Sequence, residues 1–263
     1  LHFGRTVNFG GEEVFNSEIA DKISRSILWS GIAKARGRDI KHLIIAINGD
    51  LAEGTGVTYP SQPYFVDNPV LTQTDYAYKL LWDYIKEASR VFEQVSVVTV
   101  TGNHGSSKVP DPTADFDQVI YRYLAVTLTQ MDEVGHMKNV KLTISPDSFI
   151  NFAPNEHLRL HMRHKVKYLQ IRTPAGRAKF LAMCADHECD AIISGHWHTA
   201  SADSTNSKWN IVNGSIMGVN EYGEELTLSS ERAQILLIFD RKRLEEVINL
   251  QYGDPLEFKL YQQ

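Results

Sequence analysis

Cysteine is nearly missing from this chain: its 263 residues include two, Cys184 and Cys189. Two thiols cannot build a disulfide framework, and the setting expected from them is a reducing cytoplasm. No apolar run approaches the about 18–20 residues needed to cross a bilayer, so no membrane contact is expected. Internal repeats, low-complexity tracts and a convincing linker are also lacking, which favours one domain over residues 1–263. Positive charge is not in excess: 27 Lys and Arg face 32 Asp and Glu, for a net charge of −5. That balance argues against a surface coated for nucleic acid, although a local basic groove stays open. No secretory signal opens the chain, and because Leu1 is not a methionine, residues are expected upstream of it. Cys184, His187 and Cys189 imitate a metal knuckle but lack a fourth partner, and read as structural.

What is present is a recurring grammar of aliphatic strand, glycine and ligand-type side chain. Leu43–Ile47 reads as a strand covered on both faces and runs into Asn48-Gly49-Asp50, with Glu53-Gly54 close behind. Val95–Val100 runs into Thr101-Gly102-Asn103-His104-Gly105. Asp190–Ile192 leads through Ile193-Ser194 into Gly195-His196-Trp197-His198. A strand over His157–Met162 carries His161, with His164 just beyond, and the chain opens Leu1-His2-Phe3-Gly4. The carboxyl ends of such strands are where open α/β sheets place their ligands. Mixed imidazole, carboxylate and amide donors suit manganese, iron or zinc, and Asp50, the one carboxylate among these clusters, is the natural bridge between two ions.

Between these strands lie amphipathic helices, expected over Asn16–Gly37, Thr72–Phe92, Ala114–Met131 and Ala175–His187. Asp115 and Asp117 read as caps of the third, with substrate contact the lesser option. Gly56–Asn68 is a long turn-rich loop with a functional reading. Trp209–Val212, Ala233–Phe239 and Val247–Leu250 read as strands, and the acidic Glu221–Glu225 segment as an exposed loop.

In this order the motifs resemble those of the calcineurin-like metallophosphoesterases, whose pattern is Asp-x-His, Gly-Asp-x-x-x-x-Gly, Gly-Asn-His-Glu/Asp, a lone His after a strand, and Gly-His-x-His. The resemblance implies a four-layer α/β sandwich of two mixed β-sheets flanked by helices, and a dinuclear-metal phosphoesterase. It implies one ion held by His2, Asp50, His198 and an aspartate expected ahead of Leu1. The second would be held by Asp50, Asn103, His196 and the lone histidine, with His161 preferred and His164 the alternative. Manganese is the first choice of metal, with zinc or iron as the others, and His104 would be the general acid. Two departures stand out: the second glycine of the Gly49–Gly54 block comes one residue early, and Gly105 replaces the acidic residue that often steadies the histidine before it.

The segment Gly49–Gly54 followed by Tyr59-Pro60-Ser61-Gln62 is similar to the exonuclease subunit of archaeal family-D DNA polymerase and to phage-type relatives of double-strand-break-repair nucleases. The Gly102–Gly105 block, Asp117 with Tyr121, and Asn213-Gly214-Ser215 to Tyr222 resemble the phage-type proteins too. No acidic residue occurs from His157 to Ala185, whereas Arg159, Arg163, Lys165, Lys167, Arg172, Arg177 and Lys179 do. Arg163 and Lys165 are the phosphate-binding candidates. The expected function is a metal-dependent DNA nuclease, exonucleolytic, with DNA as the partner. The alternatives are a small-molecule phosphodiesterase or phosphoprotein phosphatase, and an inactive scaffold subunit on the same fold.

Overall fold

Alternation along one strand sets the layering. In β4 (Gln94–Thr99), Val95 and Val97 are buried toward the helices, whereas Val98, with Val100 just beyond, joins the core between the sheets. Period-two alternation gives a strand covered on both faces two different partners. The computed structural model describes residues 1–107, 109, 111, 114–166, 171, 173–218, 231–241 and 243–252. The Glu221–Glu225 segment, Tyr222, Lys167 and Arg172 lie outside them.

The chain opens with a hairpin of β1 (Val7–Phe9) and β2 (Glu12–Phe15), followed by α1 (Ser17–Arg36). Asn16 caps α1 by accepting the Ile19 N–H at 2.8 Å, and Gly37 ends it. Then come β3 (His42–Ile47), a short 3-10 turn at Gln62–Phe65, α2 (Val70–Val91), β4, α3 (Phe116–Glu133) and β5 (Val140–Ile144). Strands β3, β4 and β5 form a parallel sheet in that order. The apolar stripes of α1, α2 and α3, including Ile23, Ile27, Leu80, Ile85, Ile120 and Leu124, bury against one of its faces.

The second sheet is mixed, in the order β6 (Phe149–Asn155), β7 (Leu158–Arg163), β8 (Ala191–Ser194), β10 (Lys208–Val212), β9 (Ser201–Thr205). Its inner face gives Leu158, Leu160, Met162, Ile193 and Ile211 to the inter-sheet core. Its outer face carries Ile192 under α4 (Pro174–Asp186), where Phe180 and Cys184 are buried. Helices, sheet, sheet and helix make an α/β sandwich, the layering that the resemblance of the motifs implied. A last hairpin, β11 (Ala233–Asp240) and β12 (Arg243–Gln251), packs against α1 and reaches the inter-sheet core through Ile235, Leu237 and Phe239. An apolar cavity of about 420 Å³ separates β11 from the free edge of β3; among the described residues, His42 and Tyr84 are the only ionisable side chains in its lining. No helix among the described residues is long and apolar enough to cross a membrane.

The hairpin β1–β2 and the strand β9 have little aliphatic content, which hides them from a hydrophobic pattern. Both cysteines are free and buried, and neither belongs to a cluster with metal-ligand spacing among the described residues.

The inter-sheet core supplies a stability test. Leu160 is 4% exposed, and Leu160→Ala is expected to lower the unfolding free energy by about 2–4 kcal/mol. Urea titration should show an earlier midpoint with an unchanged slope.

Candidate metal centre

The ends of β3, β4, β7 and β8 lie side by side, and their following turns meet over one carboxylate. Asp50 is 4% exposed, and its two oxygens have separate duties. Oδ1 accepts the backbone N–H groups of Asn103 and His104 at 2.8 and 2.9 Å. Oδ2 faces His164 Nε2 at 3.0 Å on one side and His2 Nε2 at 3.9 Å on the other. Close approach of the two loops needs glycine: a Cβ on Gly49 would fall 2.1 Å from Gly102 N, and one on Gly102 would fall 2.1 Å from Asp50 Oδ1.

Two groups with metal-ligand spacing share this carboxylate: His2, Asp50 and His104, and Asp50, His164 and His196. In the second, His164 Nε2 and His196 Nδ1 stand 2.9 and 2.8 Å from Asn103 Oδ1 and 3.3 Å from each other. The Nδ1–H of His164 donates to the Asn48 carbonyl at 2.6 Å. Its Nε2 faces two oxygens, Asp50 Oδ2 and Asn103 Oδ1; burial acts to lower the ring, but the hydrogen bond it donates to Asp50 raises it, so a cation there would take the place of a proton. In the first group His2 Nδ1 meets Glu53 Oε2 at 3.0 Å, so that its Nε2 faces His198 Nε2 at 3.2 Å. Converging imidazole nitrogens, with His164 and His2 held from behind by a carbonyl and a carboxylate, are an arrangement a divalent cation satisfies. The donor set thus fits two cations bridged by Asp50.

Electrostatics agree with ligation. Burial and then the neighbouring His164 charge push His196 down to about 4, and burial followed by His2 pushes His198 down to about 3, so both rings are neutral at pH 7. Burial acts to raise the Asp50 carboxyl, but the hydrogen bond and charge of His164 outweigh it and hold it well below the usual carboxylate range. Burial acts to lower His104, and the hydrogen bond it donates to Glu53 outweighs that and raises the ring.

Strain marks the same residues. Among the described non-glycine residues, His2, Asp50, His196 and His198 all take positive φ, at 58°, 52°, 70° and 58°. The left-handed region costs free energy, which is tolerated where the surroundings over-determine the geometry.

Three sequence expectations are corrected, at His161, at Arg163 and at Asp117. His161 is not at this centre. On β7 it alternates with Leu160 and Met162 and so faces α4, where it pairs with Asn151 at 2.7 Å and stacks on His187 with ring centroids 3.8 Å apart. His164, which follows the strand, reaches the centre instead. Arg163 shares the outer face with His161 and lowers that ring's pKa, leaving Lys165 at the rim beside Trp197. The basic run does not make one surface, since Arg159 pairs with Glu188 at 2.9 Å.

Two carboxylates have roles that the sequence did not disclose. Asp115 caps α3, as expected, by accepting the Asp117 N–H at 2.8 Å. Asp117 does not cap. Fully buried, it accepts the N–H groups of Asp50, Leu51 and Gly102 at 2.9, 3.0 and 2.9 Å, fastening the first two ligand loops together. Glu53, 1% exposed, places Oε2 3.0 Å from His2 Nδ1 and 3.1 Å from His104 Nδ1. Tyr59 O–H donates to its Oε1 at 2.9 Å and Gln62 Nε2 at 3.2 Å, with Arg5 3.8 Å away. The long loop after Asp50 folds back to hold this one side chain. Glu53 thus holds the His104 ring from a different loop, and the cue in the sequence was its place three residues after Asp50.

No family model and no curated protein matches this sequence. Among solved structures, the chain is similar to a hypothetical protein from Pyrococcus horikoshii at 9% identity and TM-score 0.46, over 92% of this chain and 88% of that one. It is also similar to wild-type Vps29 from Entamoeba histolytica, solved with zinc, at 11% identity and TM-score 0.38, over 79% and 96%. A novel archaeal phosphodiesterase is similar at 14% identity and TM-score 0.37, over 80% and 100%.

Metal content checks the ligand assignments. Manganese-loaded chain should carry two ions by mass spectrometric elemental analysis, and Asp50→Ala should lose both. His164→Ala should fall toward one, whereas His161→Ala should keep two; the reverse order would restore His161 as the ligand.

Proposed function

We propose that the chain is a dinuclear-metal phosphodiesterase acting on DNA, as an exonuclease. The observation that supports this reading best is Asp50 Oδ2 standing between two imidazole groups, with its partner oxygen pinned by two amides. His2, Asp50 and His198 would hold one ion, and Asp50, Asn103, His164 and His196 the other. Manganese is the first choice, because nitrogen and hard oxygen donors share the site. Two such ions supply charge on the phosphoryl oxygens and a water activated at neutral pH.

His104 is the general acid in this reading. Glu53 engages its Nδ1 and raises its pKa, which keeps a proton on the ring and leaves Nε2 to deliver it to the leaving oxygen. DNA as the substrate is supported by Lys165 at the rim and by the resemblance of the Gly49–Gln62 segment to nuclease sequences. A small-molecule phosphodiesterase or a phosphoprotein phosphatase is the second reading. The net charge of −5 and the dispersal of Arg159 and Arg163 away from the centre favour it.

The test offers manganese-loaded chain end-labelled single- and double-stranded DNA beside a chromogenic phosphomonoester and phosphodiester. Manganese-dependent shortening of DNA is expected, with a ladder that reports polarity. Turnover of the small esters alone would select the second reading, and no turnover with metal bound would leave a scaffold. His104→Ala should keep both metals and lower DNA cleavage about 10²-fold or more. The loss should be smaller on a p-nitrophenyl ester, whose leaving group departs without a proton. Loss of one metal in His104→Ala would instead make His104 a ligand of the first ion.

A further inference from the structure

Between the two ligand histidines of the last loop stands a large aromatic side chain that neither binds metal nor fills the core. Trp197 is 37% exposed although it stands directly beside a candidate ligand. It is nonetheless fixed. Its indole N–H donates to the Val166 carbonyl at 3.0 Å, its backbone N–H donates to the Gly195 carbonyl at 2.9 Å, and its ring meets His196 nearly at right angles with centroids 5.2 Å apart. The ligand His196 thus ties the ring's position to the second metal group. Lys165 Nζ sits 5.9 Å from the centroid of the indole, and no carboxylate of the described residues is within ion-pair distance of it. The other aromatic ring near the centre, Tyr59, is committed through its hydroxyl to Glu53 and carries the Arg5 guanidinium over its face.

We propose that Trp197 is the stacking platform for the nucleobase next to the scissile phosphate, and that Lys165 binds the neighbouring phosphate. The proposal rests on the phosphodiesterase reading of the same centre and names its substrate class as a single-stranded nucleic-acid end. A rigid, partly exposed indole suits this because stacking needs a pre-set plane, and every base offers a face to it. Lys165 leaves a weak contact with the ring for a charge-assisted bond to a phosphate oxygen, so binding of the base and of the phosphate reinforce each other. Phosphoserine or phosphothreonine would give the ring nothing to stack on.

The experiment is a cycle in which base and ring are removed separately. Manganese-loaded wild type, Trp197→Ala and Trp197→Phe are compared on a single-stranded oligonucleotide and on the same strand with abasic residues at both ends. Wild type should lose about tenfold or more in kcat/KM on the abasic strand, chiefly through KM. Trp197→Ala should show a comparable loss on the intact strand and little further loss on the abasic one, with Trp197→Phe recovering most of it. Equal sensitivity of wild type and Trp197→Ala to base removal would overturn the platform. A second readout does not need turnover: deoxyadenosine 5′-monophosphate should quench tryptophan emission of wild type and not of Trp197→Phe, while inorganic phosphate should quench neither. Quenching without any DNA cleavage would uphold the platform and sink the nuclease reading. Cleavage without quenching and without the coupling would do the opposite.

Discussion

Everything at this centre hangs on a carboxylate whose two oxygens are prevented from exchanging roles. Two loop amides hold Asp50 Oδ1, which turns Oδ2 toward both imidazole groups at once. A freely rotating aspartate would average over positions and bridge nothing, since a metal pair needs a donor fixed within a few tenths of an ångström. The amides come from the loop after β4 and the carboxylate from the loop after β3, so adjacency of two parallel strands becomes adjacency of ligands. Behind them, Asp117 ties the same two loops from the start of α3. A helix on the outside of the sheet thereby takes part in the geometry of a centre at its end.

Neutral imidazoles and ionised carboxylates are sorted by the same packing. The partly buried rings of His196 and His198 have no anion in hydrogen-bonding contact among the described residues and stay neutral, whereas His104, also partly buried, faces Glu53 and keeps its proton. One set therefore offers lone pairs and the other a hydrogen, within a space a few ångströms wide. Glu53 links the two, touching a ligand ring and the acid ring through one oxygen. The Gly56–Asn68 loop is long because it must return far enough for Tyr59 and Gln62 to reach that carboxylate.

Backbone strain is present where the side chains converge. Four candidate ligands sit in the left-handed region, a conformation that residue types alone do not signal and that only the surrounding turns impose. The indole of Trp197 is a by-product of the same turn: with His196 and His198 both directed inward at positive φ, the residue between them is left at the rim.

The sequence by itself determined the elements and the chemistry on offer. Aliphatic runs ending in glycine and a ligand marked β3, β4 and β8, because a strand buried on both faces has no other composition open to it. The order of Asp50, Asn103, His196 and His198 along the chain announced a candidate metal centre before any fold was known. Whether the histidine in β7 or the one just after it joins was decided by tertiary structure: His161 and His164 differ by three residues, and the pleat sends the first under α4 while the turn brings the second inward. Tertiary structure likewise separated Arg163 from Lys165 and gave Asp117 three loop amides in place of a helix end. Glu53 acquired its role from two rings that lie 51 residues away on each side in the chain. Periodicity along a chain reports what each segment prefers to bury. Contacts between segments are set only when the sheets close on each other, and the centre is made entirely of such contacts.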